Sequence, residues 1–217
     1  DPGALGPSDH LRDLERLIEV AEVEHAVFVS WSLGTQIQLE LYRRRPELFR
    51  AFVAVNGSCG HPFDGPGDDA PRTRFQQALT LTRRGVTIGG VDALARNPLL
   101  LSVAKRLGIV SPVLAHERFL EIAAGFADQD VEAFASMVRE LAAHDATDVL
   151  EDIVCPTLFV AGLRDPLIPS AFSEFMAART PGAELLVIPI ASHYIPVEFA
   201  EYLNLKLDAF LDEYAPA

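Results

Sequence analysis

Apolar residues follow two rhythms along this chain. Leu11, Leu14, Leu17, Ile18 and Ala21 recur with helical spacing and predict a helix over about 9–22, with Ser8 or Asp9 as its cap. Ala26-Val27-Phe28-Val29 is instead a short continuous apolar run, the signature of a strand buried on both faces of a parallel sheet. A second helix follows from about Leu33 to Arg45, closed by Arg43, Arg44 and Arg45 at the negative end of its dipole and by Pro46. Ala51-Phe52-Val53-Ala54-Val55 is a second buried-type strand, ending at Asn56-Gly57. Residues 60–70 are rich in Gly, Pro and Asp and read as a linker. Beyond them the pattern is helical only, with helices expected over about 72–84, 90–107, 113–126 and 129–143. Strand-type runs resume at Thr157–Ala161 and Glu184–Ile188, with a helix of about 169–179 between them and a last amphipathic helix over about 196–213.

Strands alternating with helices predict an α/β fold built on a mostly parallel sheet. The helical block is then an insertion. The expected division is a core of residues 1–60 and 149–217 and a helical cap of residues 61–148.

Composition narrows the function classes. The 217 residues are 49% apolar, enough for a sizeable core and too many for global disorder. Thirty-one acidic residues against 18 basic ones give a net charge of −13, which repels phosphate backbones and anionic membrane surfaces. Nucleic acid and membrane are therefore not the expected partners, and no apolar run approaches the roughly 20 residues of a spanning helix. Cys59 and Cys155 are too few for a disulfide scaffold and read as buried free thiols, which points to a reducing, cytoplasmic setting. The chain opens Asp1-Pro2-Gly3, without Met and without a signal-type segment, as a processed or partial chain would.

The first strand runs directly into Ser30-Trp31-Ser32-Leu33-Gly34 and a helix. A strand–tight turn–helix with serine at the apex pushes the Ser32 hydroxyl out above the sheet. The helix N-terminus beneath it offers unpaired N–H groups, so the Leu33 amide is placed to donate to an oxyanion. Trp31, beside the apex, is a candidate substrate-binding side chain. The plainer reading of Ser32 is a helix cap.

An alcohol needs a base, and the base an orienting carboxylate. Asp165, in Gly-Leu-Arg-Asp-Pro-Leu-Ile-Pro, follows the third strand; His193, in Ala-Ser-His-Tyr, follows the fourth. In open α/β sheets the reactive crevice lies outside those strand ends. Asp165 before Pro166 also suits a simple turn, and His193 a surface position. Their joint placement with Ser32 favours a Ser-Asp-His set. Asp64 is the rival acid, in a stretch that otherwise reads as linker.

His10, His25, His61, His116 and His144 show no ligand spacing, so no metal is expected. Gly89-Gly90 lies among the cap helices and follows no strand, which argues against a phosphate loop. Phe126, Phe134 and Met137 read as cap core.

Ser32, Asp165 and His193 in these phrases, with Cys-Pro-Thr-Leu-Phe-Val-Ala-Gly before Asp165, resemble the α/β-hydrolase fold family. The resemblance runs from about residue 8 to the end and is weakest in the cap. It implies a serine hydrolase with Ser32 as nucleophile, His193 as base, Asp165 as acid and the Leu33 amide in the oxyanion hole, acting on a carboxylic ester or related acyl substrate without a cofactor. Serine at the apex disfavours dehalogenase and epoxide-hydrolase chemistry. Thioesterase, lactonase, acyltransferase and carbon–carbon hydrolase activities stay open.

Two departures from the family pattern stand out. Ser30 replaces the usual first glycine. Family members also carry further strands, and a second oxyanion donor, before the nucleophile strand. The expectation is a C-terminal portion of a longer hydrolase, whose open strand edge a second copy or another partner would complete. The alternative function is a non-catalytic member that binds a small ligand or a partner protein.

Overall fold

The computed structural model describes residues 6–62, 98–106, 108, 110–127 and 131–214. Four strands, β1 (Ala26–Trp31), β2 (Phe49–Val55), β3 (Thr157–Gly162) and β4 (Glu184–Ile188), form one parallel sheet in the order β1-β2-β3-β4. Parallel pairing follows from the connections: α2 (Gly34–Arg44) links β1 to β2, and α6 (Ser170–Arg179) links β3 to β4. Among the described residues β1 is an edge strand, and its Val29 is 55% exposed.

Alternate strand residues feed two cores. Phe52, Ala54 and Phe159 point to the face covered by α1 (Pro7–Val20), α2 and α6, where Leu11, Leu39 and Met176 meet them. Val53, Val55, Leu158 and Val160 point the other way, onto Leu203 and Phe210 of α8 (Ala200–Tyr214). Both faces of β2 and β3 are buried, which is why these strands read as unbroken apolar runs.

Local details differ from the sequence-based expectation. α1 begins at Pro7, because Gly6 takes the N-cap position and its N–H donates to Asp9 Oδ2 at 3.2 Å; neither Ser8 nor Asp9 is the cap residue. β2 starts two residues early, after a 3₁₀ turn at Pro46–Leu48. The last helix is two helices, α7 (Ile195–Glu198) and α8, broken at Phe199, whose φ of −134° leaves the helical region.

Between β2 and β3 the described residues form α3 (Pro98–Arg106), α4 (His116–Ala127) and α5 (Val131–Ala143). Leu101, Ala104, Leu114 and Phe119 pack against Tyr194 and Val197, so α3 and α4 sit on the loop that follows β4 and the short helix after it. The chain leaves and re-enters the core at one place: Gly60 bridges Asp145, and the Ala146 N–H donates to the Cys59 carbonyl at 2.8 Å. The helix expected over about 72–84, residues 90–97 of the next, Asp64 and Gly89-Gly90 lie outside the described residues, as do the side chains of Phe126 and Phe134. Among the described residues no helix is long and apolar enough to cross a membrane. Both thiols are free, and burial pushes both up from the ordinary cysteine value.

Candidate active site

The turn after β1 carries backbone strain. Ser32 has φ 58°, a left-handed conformation that costs a non-glycine residue ~1–2 kcal/mol. It is pinned from both sides: its N–H donates to the Val55 carbonyl of β2 at 2.9 Å, and its carbonyl accepts from Thr35 N–H at 3.1 Å. The strained turn lifts the Ser32 hydroxyl clear of the sheet. Leu33 follows at the N-cap of α2, and its amide has no acceptor among the described residues.

Ser30 fits this turn without disturbing it. A Cβ on Gly34 would stand 3.5 Å from Ser30 Cβ, an ordinary contact, so serine at 30 crowds nothing at this turn. The Ser30 hydroxyl lies 3.1 Å from Thr35 Oγ1 and donates to the Val53 carbonyl at 3.4 Å. Gly57 supplies the space for Thr35, since a Cβ there would fall 1.9 Å from Thr35 Oγ1.

Asp165 and His193 reach Ser32 from the loops after β3 and β4. Ser32 Oγ and His193 Nε2 are 2.8 Å apart; His193 Nδ1 and Asp165 Oδ2 are 2.7 Å apart. His193 is 5% exposed and Asp165 6%. The Asp165 carboxylate also accepts N–H bonds from Leu167 at 2.8 Å and Ile168 at 2.9 Å through Oδ1, and one from the Asn56 amide through Oδ2. Three N–H donors hold it as an acceptor, which makes His193 Nδ1 the protonated nitrogen and leaves the Nε2 lone pair facing Ser32.

The loop that carries His193 is fastened from three further directions. The Trp31 indole N–H donates to the His193 carbonyl at 2.8 Å, with the ring centroids 5.4 Å apart. Asn56 Nδ2 donates to the Ser192 carbonyl at 3.2 Å. Glu198 of α7 accepts the Ser192 N–H at 3.0 Å and the Ser192 hydroxyl at 2.7 Å, and also takes the Ser111 N–H from the loop between α3 and α4. Gly162 lets β3 pass beneath this loop: a Cβ there would meet the Ser192 and Ala191 carbonyls at 2.5 and 2.6 Å. Tyr194, next to His193, is pushed up to about 12, by burial first and then by the charges of Asp165 and Glu198.

The structure therefore brings Ser32, Leu33, Asp165, His193 and Trp31 to one sheet edge. Trp31 touches the loop that carries His193, and its remaining 41% exposure leaves ring surface free. Three residues absent from the sequence-based candidate set belong here as well: Asn56, Ser192 and Glu198. Only Asn56 left a signal, as an Asn-Gly pair at the carboxyl end of a buried strand. Among the described residues no cluster of His, Cys, Asp or Glu is arranged to hold a metal ion.

A strand running through a strained serine turn into a helix, at the edge of a parallel sheet, is the geometry of the nucleophile elbow of α/β hydrolases. The chain belongs to the alpha/beta hydrolase family, whose model matches residues 1–204. It is 27% identical over 205 residues to a Klebsiella pneumoniae protein named "Putative carbamate hydrolase RutD", covering 94% of this chain and 72% of that one. A hydrolase from Pseudomonas aeruginosa superposes with a TM-score of 0.72 at 25% identity, over 97% of this chain and 74% of that one. The enol-lactonase from Burkholderia xenovorans gives 0.72 at 19% identity, over 96% and 74%.

Proposed function

We propose that this chain is a serine hydrolase that cleaves a carboxylic ester or a related acyl compound through an acyl-enzyme. The observation that carries the proposal is the continuous path from Ser32 Oγ through His193 to Asp165, at 2.8 and 2.7 Å. Ser32 attacks the substrate carbonyl carbon as its proton passes to His193 Nε2. Asp165 holds the ring and stabilises the imidazolium. The Leu33 amide donates to the developing oxyanion, where a preorganised donor is worth ~2.7–4 kcal/mol. His193 then protonates the leaving group, and a water activated by the same nitrogen cleaves the acyl-enzyme. The exposed part of the Trp31 ring contacts the substrate beside the nucleophile.

A carbamate differs from an ester at the same carbonyl only by a nitrogen substituent, so the name carried by the Klebsiella relative fits the same chemistry. The non-catalytic alternative drew on Ser30, whose side chain is accommodated at the turn, and on the second oxyanion donor, for which the sequence offers no candidate.

The test is a hydrolysis screen of short-chain aryl esters, a lactone and an aryl carbamate with the native chain and Ser32→Ala. Turnover abolished by the substitution is the expected result. Ligand binding without turnover in the native chain would establish the non-catalytic reading instead.

A further inference from the structure

Asn56 spends both protons of one side-chain amide on two different loops. Nδ2 donates to Asp165 Oδ2, on the loop after β3, and to the Ser192 carbonyl, beside His193 on the loop after β4. Asp165 Oδ2 is also the oxygen that holds His193 Nδ1. Asn56 is 1% exposed and sits at φ 47°. That backbone region admits glycine, asparagine and aspartate far more readily than other residues. Of the three, glycine brings no donor and aspartate brings a second buried negative charge. Only asparagine supplies two neutral donors.

The orientation of the amide is fixed by the same network. Reversed, its oxygen would face a carboxylate and a carbonyl, two acceptors. As oriented, Asn56 Oδ1 is buried without a partner.

We propose that Asn56 is a positioning residue of the site, which locks the acid loop to the base loop and sets the pH at which His193 becomes a base. The electrostatic part follows from the shared oxygen. A neutral donor on Oδ2 draws negative charge away from the imidazole, so Asp165 stabilises the imidazolium less than a bare carboxylate would. Removing the donor raises the pH at which His193 loses its proton. An acid at position 56 stands against the Asp165 carboxylate, and two such carboxyl groups hold one proton between them, so a donor to Oδ2 is kept. The other groups around the ring are Trp31 and Ser32 from β1 and its turn, Tyr194 beside it and Glu198 of α7 through Ser192. Tyr194 stays neutral over the range in which histidine titrates.

The inference rests on the reading of His193 as the base, and the experiment separates the two. The His193 ring is titrated by NMR in the native chain, Asn56→Asp and Asn56→Gly, alongside the pH dependence of fluorophosphonate labelling. Both substitutions are compatible with the left-handed backbone, and Asn56→Gly introduces no charge, so it decides the matter if the aspartate variant fails to fold. The expected result is a His193 midpoint higher by about half a unit or more in Asn56→Gly, and by less in Asn56→Asp, whose shared proton still serves Oδ2, with the acid limb of labelling moving in step. A midpoint that ignores both substitutions in folded protein, while the native chain labels normally, overturns the inference alone. A native chain that takes no label while the midpoint still moves overturns the hydrolase reading and leaves Asn56 in its role.

Discussion

Replacing Asp165 by asparagine keeps the shape of the side chain and removes half of its acceptors. In the native site Oδ1 takes two backbone N–H groups, and Oδ2 takes His193 and Asn56. If the new amide oxygen stays with Leu167 and Ile168, its NH₂ faces two donors. His193 must then accept at Nδ1, which moves the ring proton to Nε2, opposite Ser32 Oγ. The serine loses the lone pair that takes its proton. If the amide turns round, the two backbone N–H groups lose their partner instead. The first orientation loses the Asn56 bond and remakes the His193 bond, while the second loses two bonds, at ~1.5–3 kcal/mol each, so stability falls by ~1.5–6 kcal/mol. The first orientation keeps both backbone N–H groups paired and is the one expected, and its wrong tautomer lowers the rate by about 10⁴-fold. The assay is the rate of fluorophosphonate labelling, normalised to the folded fraction from urea unfolding. A folded Asp165→Asn chain that labels within about tenfold of native would refute the tautomer argument, because only a freely rotating or uninvolved carboxyl is replaced so cheaply.

Three further outcomes follow from the same geometry. Ser32→Gly and Ser32→Ala both abolish labelling, but glycine relieves the left-handed strain, so it unfolds in urea with ~1 kcal/mol more stability than alanine; equal stabilities contradict a strained turn. Gly162→Ala pushes a methyl group into the Ser192 and Ala191 carbonyls, costs ~1–3 kcal/mol and slows labelling by displacing the His193 loop; an unchanged labelling rate contradicts that coupling. Tyr194 is raised in the fold from 10.0 to about 12. The neutral phenol is the favoured form, so its contribution is complete below pH ~10 and is lost as pH climbs through ~12, ~2–3 kcal/mol in all. Tyr194→Phe removes that part of the alkaline loss in unfolding curves measured across the interval.

The sheet was legible because β2 and β3 are buried on both faces and so write themselves as uninterrupted apolar runs. The placement of Ser32, Asp165 and His193 was legible for a related reason: each directly follows such a run, and parallel strands all end at one edge. What escaped was anything held by contacts distant in sequence. Asn56 reaches Asp165 and Ser192 across more than a hundred residues, and the Trp31 indole reaches His193 across 162. The break at Phe199 escaped for the opposite reason. The amphipathic pattern of residues 196–213 is continuous, while the break depends on Glu198 turning its carboxylate to Ser192 and Ser111. Ser30 read as a departure from a motif, because its hydroxyl partners, Thr35 of α2 and the Val53 carbonyl of β2, are set by the fold.

The most direct test of the central claim is labelling of the purified chain with a fluorophosphonate, followed by mass-spectrometric mapping of the modified peptide and circular dichroism on the same sample. The account predicts label on Ser32, lost in Ser32→Ala and strongly reduced in His193→Ala. A folded chain that takes no label at Ser32, or that labels equally well without His193, would contradict it.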